Sequence, residues 1–226
     1  MKMSMVSLGC DKNTVDSEMM LGLMNEKGFE YTDIDEEAEI MIINTCGFIQ
    51  SAKEESINAI LEAARLKEEG ALKALVVTGC LAQRYKDEII KEIPEVDALL
   101  GTSSFDKIVE TVEEVLGGEI KNEFLDLDRL PSISNKRKNS TGGYYAYLKI
   151  AEGCNKNCTY CIIPSLRGNY RSYPMDDLIA QAKDLAAQGI KELILVAQET
   201  TLYGVDLYGE KSLPKLLKEL AKVEGI

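Results

Sequence analysis

Short apolar runs alternate with amphipathic stretches along the first half of the chain. SMVSL (4–8), EIMIINT (39–45) and KALVVTG (73–79) are rich in apolar residues but too short for buried helices, so they predict buried strands, with DALLG (97–101) a candidate for another. Between them, TVDSEMMLGLMNEKG (14–28), FIQSAKEESINAILEAARLKEEG (48–70) and LAQRYKDEIIKEI (81–93) repeat their apolar residues three and four apart, which predicts helices with one buried face. Strand followed by helix, repeated, implies a parallel sheet covered on both faces. A last helix within SSFDKIVETVEEVLGG (103–118) closes this unit near Gly118.

The pattern breaks over residues 121–143. Acid-rich KNEFLDLDRL leads into PSISNKRKNSTGG, a stretch of Ser, Asn, Gly and charge that reads as a linker, with Lys136–Lys138 (KRK) a solvated loop rather than a nucleic-acid patch. Alternation resumes with strand GYYAYLKIAEG (143–153), helix MDDLIAQAKDLAAQG (175–189), strand KELILVAQET (191–200) and helix SLPKLLKELAKV (212–223); LYGVDLYGE (202–210) reads as a loop at the barrel mouth, open to contact with cofactor, target or solvent, with solvent the default. So few β/α units leave an edge unpaired, which is the start of a larger barrel. The expected class is α/β: an N-terminal parallel sheet with helices on both faces (1–120), a linker (121–143) and the first part of a (β/α) barrel (144–226).

Charge follows the same division. The net charge of −12 is the sum of −15 over residues 1–130 and +3 over residues 131–226. An acidic first half disfavours contact with a phosphate backbone and suits either a basic protein partner or simple solubility. The apolar runs fall far short of the roughly 20 residues that a membrane-spanning helix needs. MKMSMVSLGC is too short in its apolar part for a secretory signal, so a cytoplasmic location is expected, where thiols stay reduced and six cysteines point to metal or redox chemistry rather than disulfides.

The cysteines fall into two sets. Cys154, Cys158 and Cys161 form C-x3-C-x2-C within AEGCNKNCTYCIIPSLRG, just after a predicted strand. A loop this short lets three thiolates wrap one polynuclear iron–sulfur centre. Zinc is the rival, but a structural zinc site takes four Cys or His ligands; the chain has no His, and the nearest other cysteine, Cys80, is 74 residues away. A 4Fe-4S cluster with three protein thiolates instead leaves one iron open for a substrate or cofactor. Cys10, Cys46 and Cys80 are scattered, yet SLGC, NTCG and TGCL each follow the carboxyl end of a predicted strand. In a parallel sheet those ends share one edge, so the three can meet at a second centre. The rival is coincidence, since cysteine is often buried at strand ends.

The spacing C-x3-C-x-aromatic-C, with Tyr160 in the aromatic place, resembles the radical S-adenosylmethionine (SAM) superfamily. Together with SLGCDKNTVDSE, NTCGFIQSAKEES, YAYLKIAEGC, IIPSLRGNYRS and VAQETTLYGVDLYG, it resembles the methylthiotransferase family, in the branch that modifies a ribosomal protein rather than the branch that modifies tRNA. The resemblance implies two 4Fe-4S clusters, one on Cys154, Cys158 and Cys161 that binds and cleaves SAM, the other on Cys10, Cys46 and Cys80. It implies cofactor contacts at Tyr160, Gln198 and Glu199. It also implies a methylthio group placed on the β-carbon of an aspartate in a small-subunit ribosomal protein, with an electron donor and a sulfur donor that it leaves unnamed. tRNA carrying a modified adenosine is the alternative substrate. Family members usually continue through a complete barrel and a C-terminal TRAM domain that helps bind the target; residues 1–226 contain neither, so this stretch is expected to bind its target weakly.

Overall fold

The computed structural model describes residues 1–133 and 137–226. The elements run β1 (Lys2–Ser7), α1 (Asp11–Glu26), β2 (Glu30–Tyr31), β3 (Ile40–Thr45), α2 (Gln50–Glu68), β4 (Ala74–Gly79), α3 (Cys80–Arg84), α4 (Lys86–Glu92), β5 (Ala98–Leu100), α5 (Ile108–Leu116) and β6 (Lys121–Glu123). They continue with β7 (Tyr145–Lys149), β8 (Ala151–Glu152), α6 (Ile163–Arg167), β9 (Arg171–Ser172), α7 (Met175–Ala187), β10 (Glu192–Val196), α8 (Val205–Tyr208) and α9 (Leu213–Leu220).

Among the described residues, six strands form one parallel sheet in the order β2-β1-β3-β4-β5-β6. Its central strands β3 and β4 are buried at every position, as their uninterrupted apolar runs require. Alternate residues serve opposite faces. Ile40, Ile42 and Val76 pack with Met19, Met20 and Met24 of α1 and Val112 of α5, whereas Met41, Ile43 and Val77 pack with Ile60 of α2 and Ile89 of α4. Each such buried side chain stabilises the fold by about 1.5–3 kcal/mol. The helices thus cover both faces, as the alternation of strand and helix predicted. β6 forms within the stretch read as a linker and extends the sheet beyond β5.

In the second half, β7 and β10 pair in parallel, and Leu178 of α7 and Leu216 of α9 share a core with Leu148 of β7. Two features here were not predicted. β8 and β9 form a short antiparallel pair, placing the cysteine loop and α6 between them. LYGVDLYGE is more than a loop: residues 205–210 are exposed, but they contain α8, where the Asp206 carboxylate accepts hydrogen bonds from the Ser172 backbone N–H (2.7 Å) and hydroxyl (2.6 Å), and the Tyr208 hydroxyl accepts one from the Met175 N–H (2.9 Å).

Within KRK, Lys138 is exposed, as the solvated reading expects, but Arg137 departs from it. Lys136 lies outside the described residues, but the Arg137 side chain is fully buried; its Nε donates to Glu18 Oε2 at 2.6 Å and its Nη1 to the Tyr147 carbonyl at 2.5 Å. Glu18 is buried as well, and its other oxygen accepts from the Ser140 N–H and hydroxyl. A buried charge is tolerated only when it is paired, and this pair ties the connection between the halves to α1. Burial pulls the Arg137 guanidinium below its ordinary value, against the opposing charge of Glu18.

Breaking a buried pair from one side leaves the other charge uncompensated, at a cost of about 3–5 kcal/mol. Arg137→Ala is therefore expected to lower the unfolding free energy by about that amount in urea titration. An unchanged midpoint would mean that Glu18 and Arg137 are not paired in solution.

Candidate active site

The parallel register sets where the first three cysteines fall. Ser7 lies opposite Asn44 and Asn44 opposite Thr78, so three strand ends are level at the carboxyl edge of the sheet. Cys10, Cys46 and Cys80 leave that edge within two or three residues. Cys10 precedes the first turn of α1, whose dipole favours negative charge, and Cys80 opens α3.

The three loops press on one another. Gly9 has φ +95°, and a Cβ there would lie 2.7 Å from the Cys46 Cβ and 3.0 Å from its sulfur. A Cβ on Gly47 would meet the Cys80 carbonyl oxygen at 2.9 Å. Only glycine allows so close an approach. These glycines, each adjacent to a cysteine, are a sequence signal that the spacing argument passed over. Ser56 of α2 was also missed: its hydroxyl accepts from the Cys46 N–H at 3.0 Å and donates to the Cys46 carbonyl at 3.1 Å. Burial pushes the Cys46 thiol up, and the neighbouring Cys80 and Cys10 add to that, against a hydrogen bond from the Phe48 backbone and the charge of Arg167.

The second set sits on the loop between β8 and α6. The Cys154 N–H donates to the Gly168 carbonyl at 3.1 Å and the Cys161 N–H to the Cys158 carbonyl at 2.9 Å. Asn157, the one non-glycine with a left-handed backbone among the described residues (φ 48°), turns the loop between them. All six cysteines are free and open onto one cavity of about 1080 Å³. Two units far apart in sequence thus share a single chamber.

Among the described residues, no three His, Cys, Asp or Glu side chains converge tightly enough to hold a single metal ion. The donor chemistry suits a polynuclear centre instead: every candidate ligand is sulfur, in sets of three on loops, and a cluster spreads its thiolates over separate irons.

The predicted cofactor contacts separate on inspection. Gln198 lines the cavity, and both polar atoms of its amide are buried without a hydrogen-bond partner. Glu199 is already engaged: one oxygen accepts from the Thr201 N–H and hydroxyl and the other pairs with Lys156, contacts that hold its carboxyl down to about 2. Tyr160 is 91% exposed, so it does not anchor the loop in a core.

Beneath the cavity lies a group that the sequence reading did not anticipate. Asp16 of α1, Lys149 at the end of β7, Glu152 of β8 and Arg167 of α6 are all buried and mutually paired. Arg167 lies 2.9 Å from Asp16 and 3.0 Å from Glu152, and Lys149 touches both carboxylates. Two positive and two negative charges cancel. Burial alone would lower Lys149, yet Asp16 and Glu152 outweigh it and hold the ammonium above its ordinary value; burial alone would raise Glu152, yet Lys149 and Arg167 hold it down.

Residues 2–101 match a family described only as uncharacterized protein family UPF0004, and residues 148–226 match the radical SAM superfamily. The ribosomal protein uS12 methylthiotransferase RimO of Lachnoclostridium phytofermentans is 62% identical over 226 residues, covering 100% of this chain and 51% of that protein. Its namesake from Acetivibrio thermocellus is 53% identical, with 100% and 51% covered. The chain therefore spans about half the length of the curated relatives it matches. Two structures of the radical SAM methyltransferase TsrM from Kitasatospora setae align over 96% of this chain and 50% of theirs, with TM-scores of 0.63 and 0.62 at 14% and 13% identity, a likeness of fold. The two family matches divide along the same line as the two cysteine sets, and this chain belongs to the RimO family of radical SAM methylthiotransferases.

Proposed function

We propose that this chain forms the cluster-bearing part of an enzyme that places a methylthio group on the β-carbon of an aspartate side chain in ribosomal protein uS12. The observation that carries the reading is the single cavity onto which both trios of cysteines open. Cys154, Cys158 and Cys161 would hold one 4Fe-4S cluster with an iron left for SAM; Cys10, Cys46 and Cys80 would hold a second with an iron left for sulfur. When bound, these groups supply the reductive cleavage of SAM and a seat for the sulfur to be transferred.

The protein's own part is placement. Residues 1–120 present the first trio and residues 144–226 the second, and the shared chamber brings both to one substrate carbon while limiting water. Gln198 would give its buried amide to SAM, and the exposed Tyr160, which does not itself line the cavity, would turn to lie near the adenine. Glu199 would act indirectly, fixing Lys156 at the cavity wall. The relatives named above carry uS12 in their names, and the net −15 of residues 1–130 suits a basic protein target better than tRNA. The reading places the enzyme in the cytoplasm with its ribosomal target; no helix among the described residues is long and apolar enough to cross a membrane. A reductant and a sulfur donor must come from outside the chain.

Anaerobic reconstitution is expected to give about eight irons per chain with broad visible absorption, and about four when either trio is replaced by alanine. A colourless protein that binds zinc instead would overturn the reading.

With uS12 as substrate, alanine at Cys154, Cys158 and Cys161 is expected to abolish formation of 5′-deoxyadenosine. Alanine at Cys10, Cys46 and Cys80 should leave SAM cleavage intact but remove the methylthio mass gain on the target, measured by mass spectrometry. Gln198→Ala should raise the KM for SAM about three- to tenfold, the worth of an ordinary hydrogen bond; an unchanged KM would remove Gln198 from the cofactor site.

A further inference from the structure

The cysteine trio at the sheet edge is ordered by a side chain from the other half of the molecule. Asn13, 1% exposed in the first turn of α1, donates through Nδ2 to the Leu8 carbonyl and to the Thr45 carbonyl, both at 2.9 Å. Leu8 lies two residues before Cys10, and Thr45 immediately precedes Cys46. One amide thus ties the Cys10 loop to the Cys46 loop. Thr45 carries the tie onward: its hydroxyl donates to the Thr78 carbonyl at 2.5 Å and accepts from the Ala82 N–H at 3.4 Å, two residues to either side of Cys80.

The amide oxygen of Asn13 has a partner of its own. Arg167 Nη2 donates to Oδ1 at 2.5 Å, while Nη1 is held by Asp16 and Glu152. That contact fixes which way the amide faces, and so keeps its two N–H donors on the two cysteine loops. Arg167 belongs to α6, the helix that follows Cys161, and its backbone is anchored next door, where the Thr102 hydroxyl donates to the Leu166 carbonyl at 2.5 Å. Its side chain is 2% exposed and lines the cavity with Cys10, Cys46 and Cys80. Its guanidinium is raised above the ordinary value: burial opposes this, but Glu152 overrides it, with Cys80, Asp16 and Cys10 contributing in that order.

We propose that Arg167, acting through Asn13, is the positioning residue that holds the Cys10, Cys46 and Cys80 loops in cluster-binding register. The radical SAM half of the chain thereby orders the metal site of the sheet half. Partners one layer behind metal ligands change metal affinity by about 10- to 100-fold when removed. Arg167 also places a fixed positive charge beside this trio, which favours the more reduced, more negative state of a bound centre.

The inference rests on the proposed second cluster, so the test uses the whole protein with Cys154, Cys158 and Cys161 replaced by alanine, leaving the first trio as the sole cluster site. In this background, iron retention against a chelator, the reduction potential of the reconstituted centre and the thermal melt of the apo-protein are compared with Arg167→Lys, Arg167→Gln and Asn13→Ala added singly. Arg167→Lys keeps the buried charges balanced, and Asn13→Ala leaves the ion group intact, so at least one is expected to melt like its parent. Both are expected to lose iron about 10- to 100-fold faster. Asn13→Ala should leave the potential nearer the parent's than Arg167→Gln, which also loses the positive charge and should be harder to reduce. Parent-like iron retention in Asn13→Ala and Arg167→Lys would overturn the inference while leaving the second cluster standing. A parent that binds no cluster would overturn both. Faster iron loss only in a variant whose melt has collapsed, with the well-folded one behaving as the parent, would also overturn it.

Discussion

The arrangement of this protein depends on how four buried charges are compensated. Lys149, Glu152 and Arg167 come from β7, β8 and α6 of the second half and only Asp16 from α1 of the sheet half, so both pairs of Asp16 wait until the two halves are docked. Moving each ion out of water costs several kcal/mol, and a single pair about 4 Å apart recovers only about 4 kcal/mol at an effective dielectric of 20. A lone pair would barely break even. The closed arrangement of two cations and two anions, each cation meeting both anions, lets every charge be answered twice, and the Lys149 ammonium also lies 5.0 Å from the Phe105 ring and 5.8 Å from the Tyr173 ring.

That interaction serves geometry more than stability. An apolar interface of similar volume would hold two units together as well or better, but it would tolerate sliding. Charges with fixed hydrogen-bond directions do not. Because Arg167 is both a member of the group and the partner of Asn13, the docking of the two halves and the shape of the cysteine edge are determined together. Glu18 and Arg137 repeat the device two residues further along α1, pinning the connecting segment against the same helix.

The six cysteines then inherit their positions from backbone. Parallel register levels the ends of β1, β3 and β4, glycines let the loops close on each other, and the short turn of Cys154 to Cys161 lines the same cavity. The reaction proposed above, joining a radical generated at one set to sulfur held at the other, would require this shared space, since a reactive carbon centre survives only where water is kept away and its partner is near.

The sequence by itself determined the main strands and helices and the two cysteine sets, though not β6, the β8–β9 pair or α8. Uninterrupted apolar runs can only be doubly covered strands, and three thiols within eight positions converge whatever surrounds them, so periodicity and spacing were enough. It misread what depends on distant partners. Arg137 stood in a polar, charged run and looked solvated, and its burial follows from Glu18, 119 residues away. LYGVDLYGE looked like a loop because its glycines break helices, whereas Asp206 and Tyr208 brace β9 and α7. Asp16, Lys149, Glu152 and Arg167 are ordinary surface residue types with no local mark. Only the tertiary fold decided that they are buried together, because local pattern records which face of an element is apolar, while the pairing of charges across elements is fixed by the docking that excludes water from them.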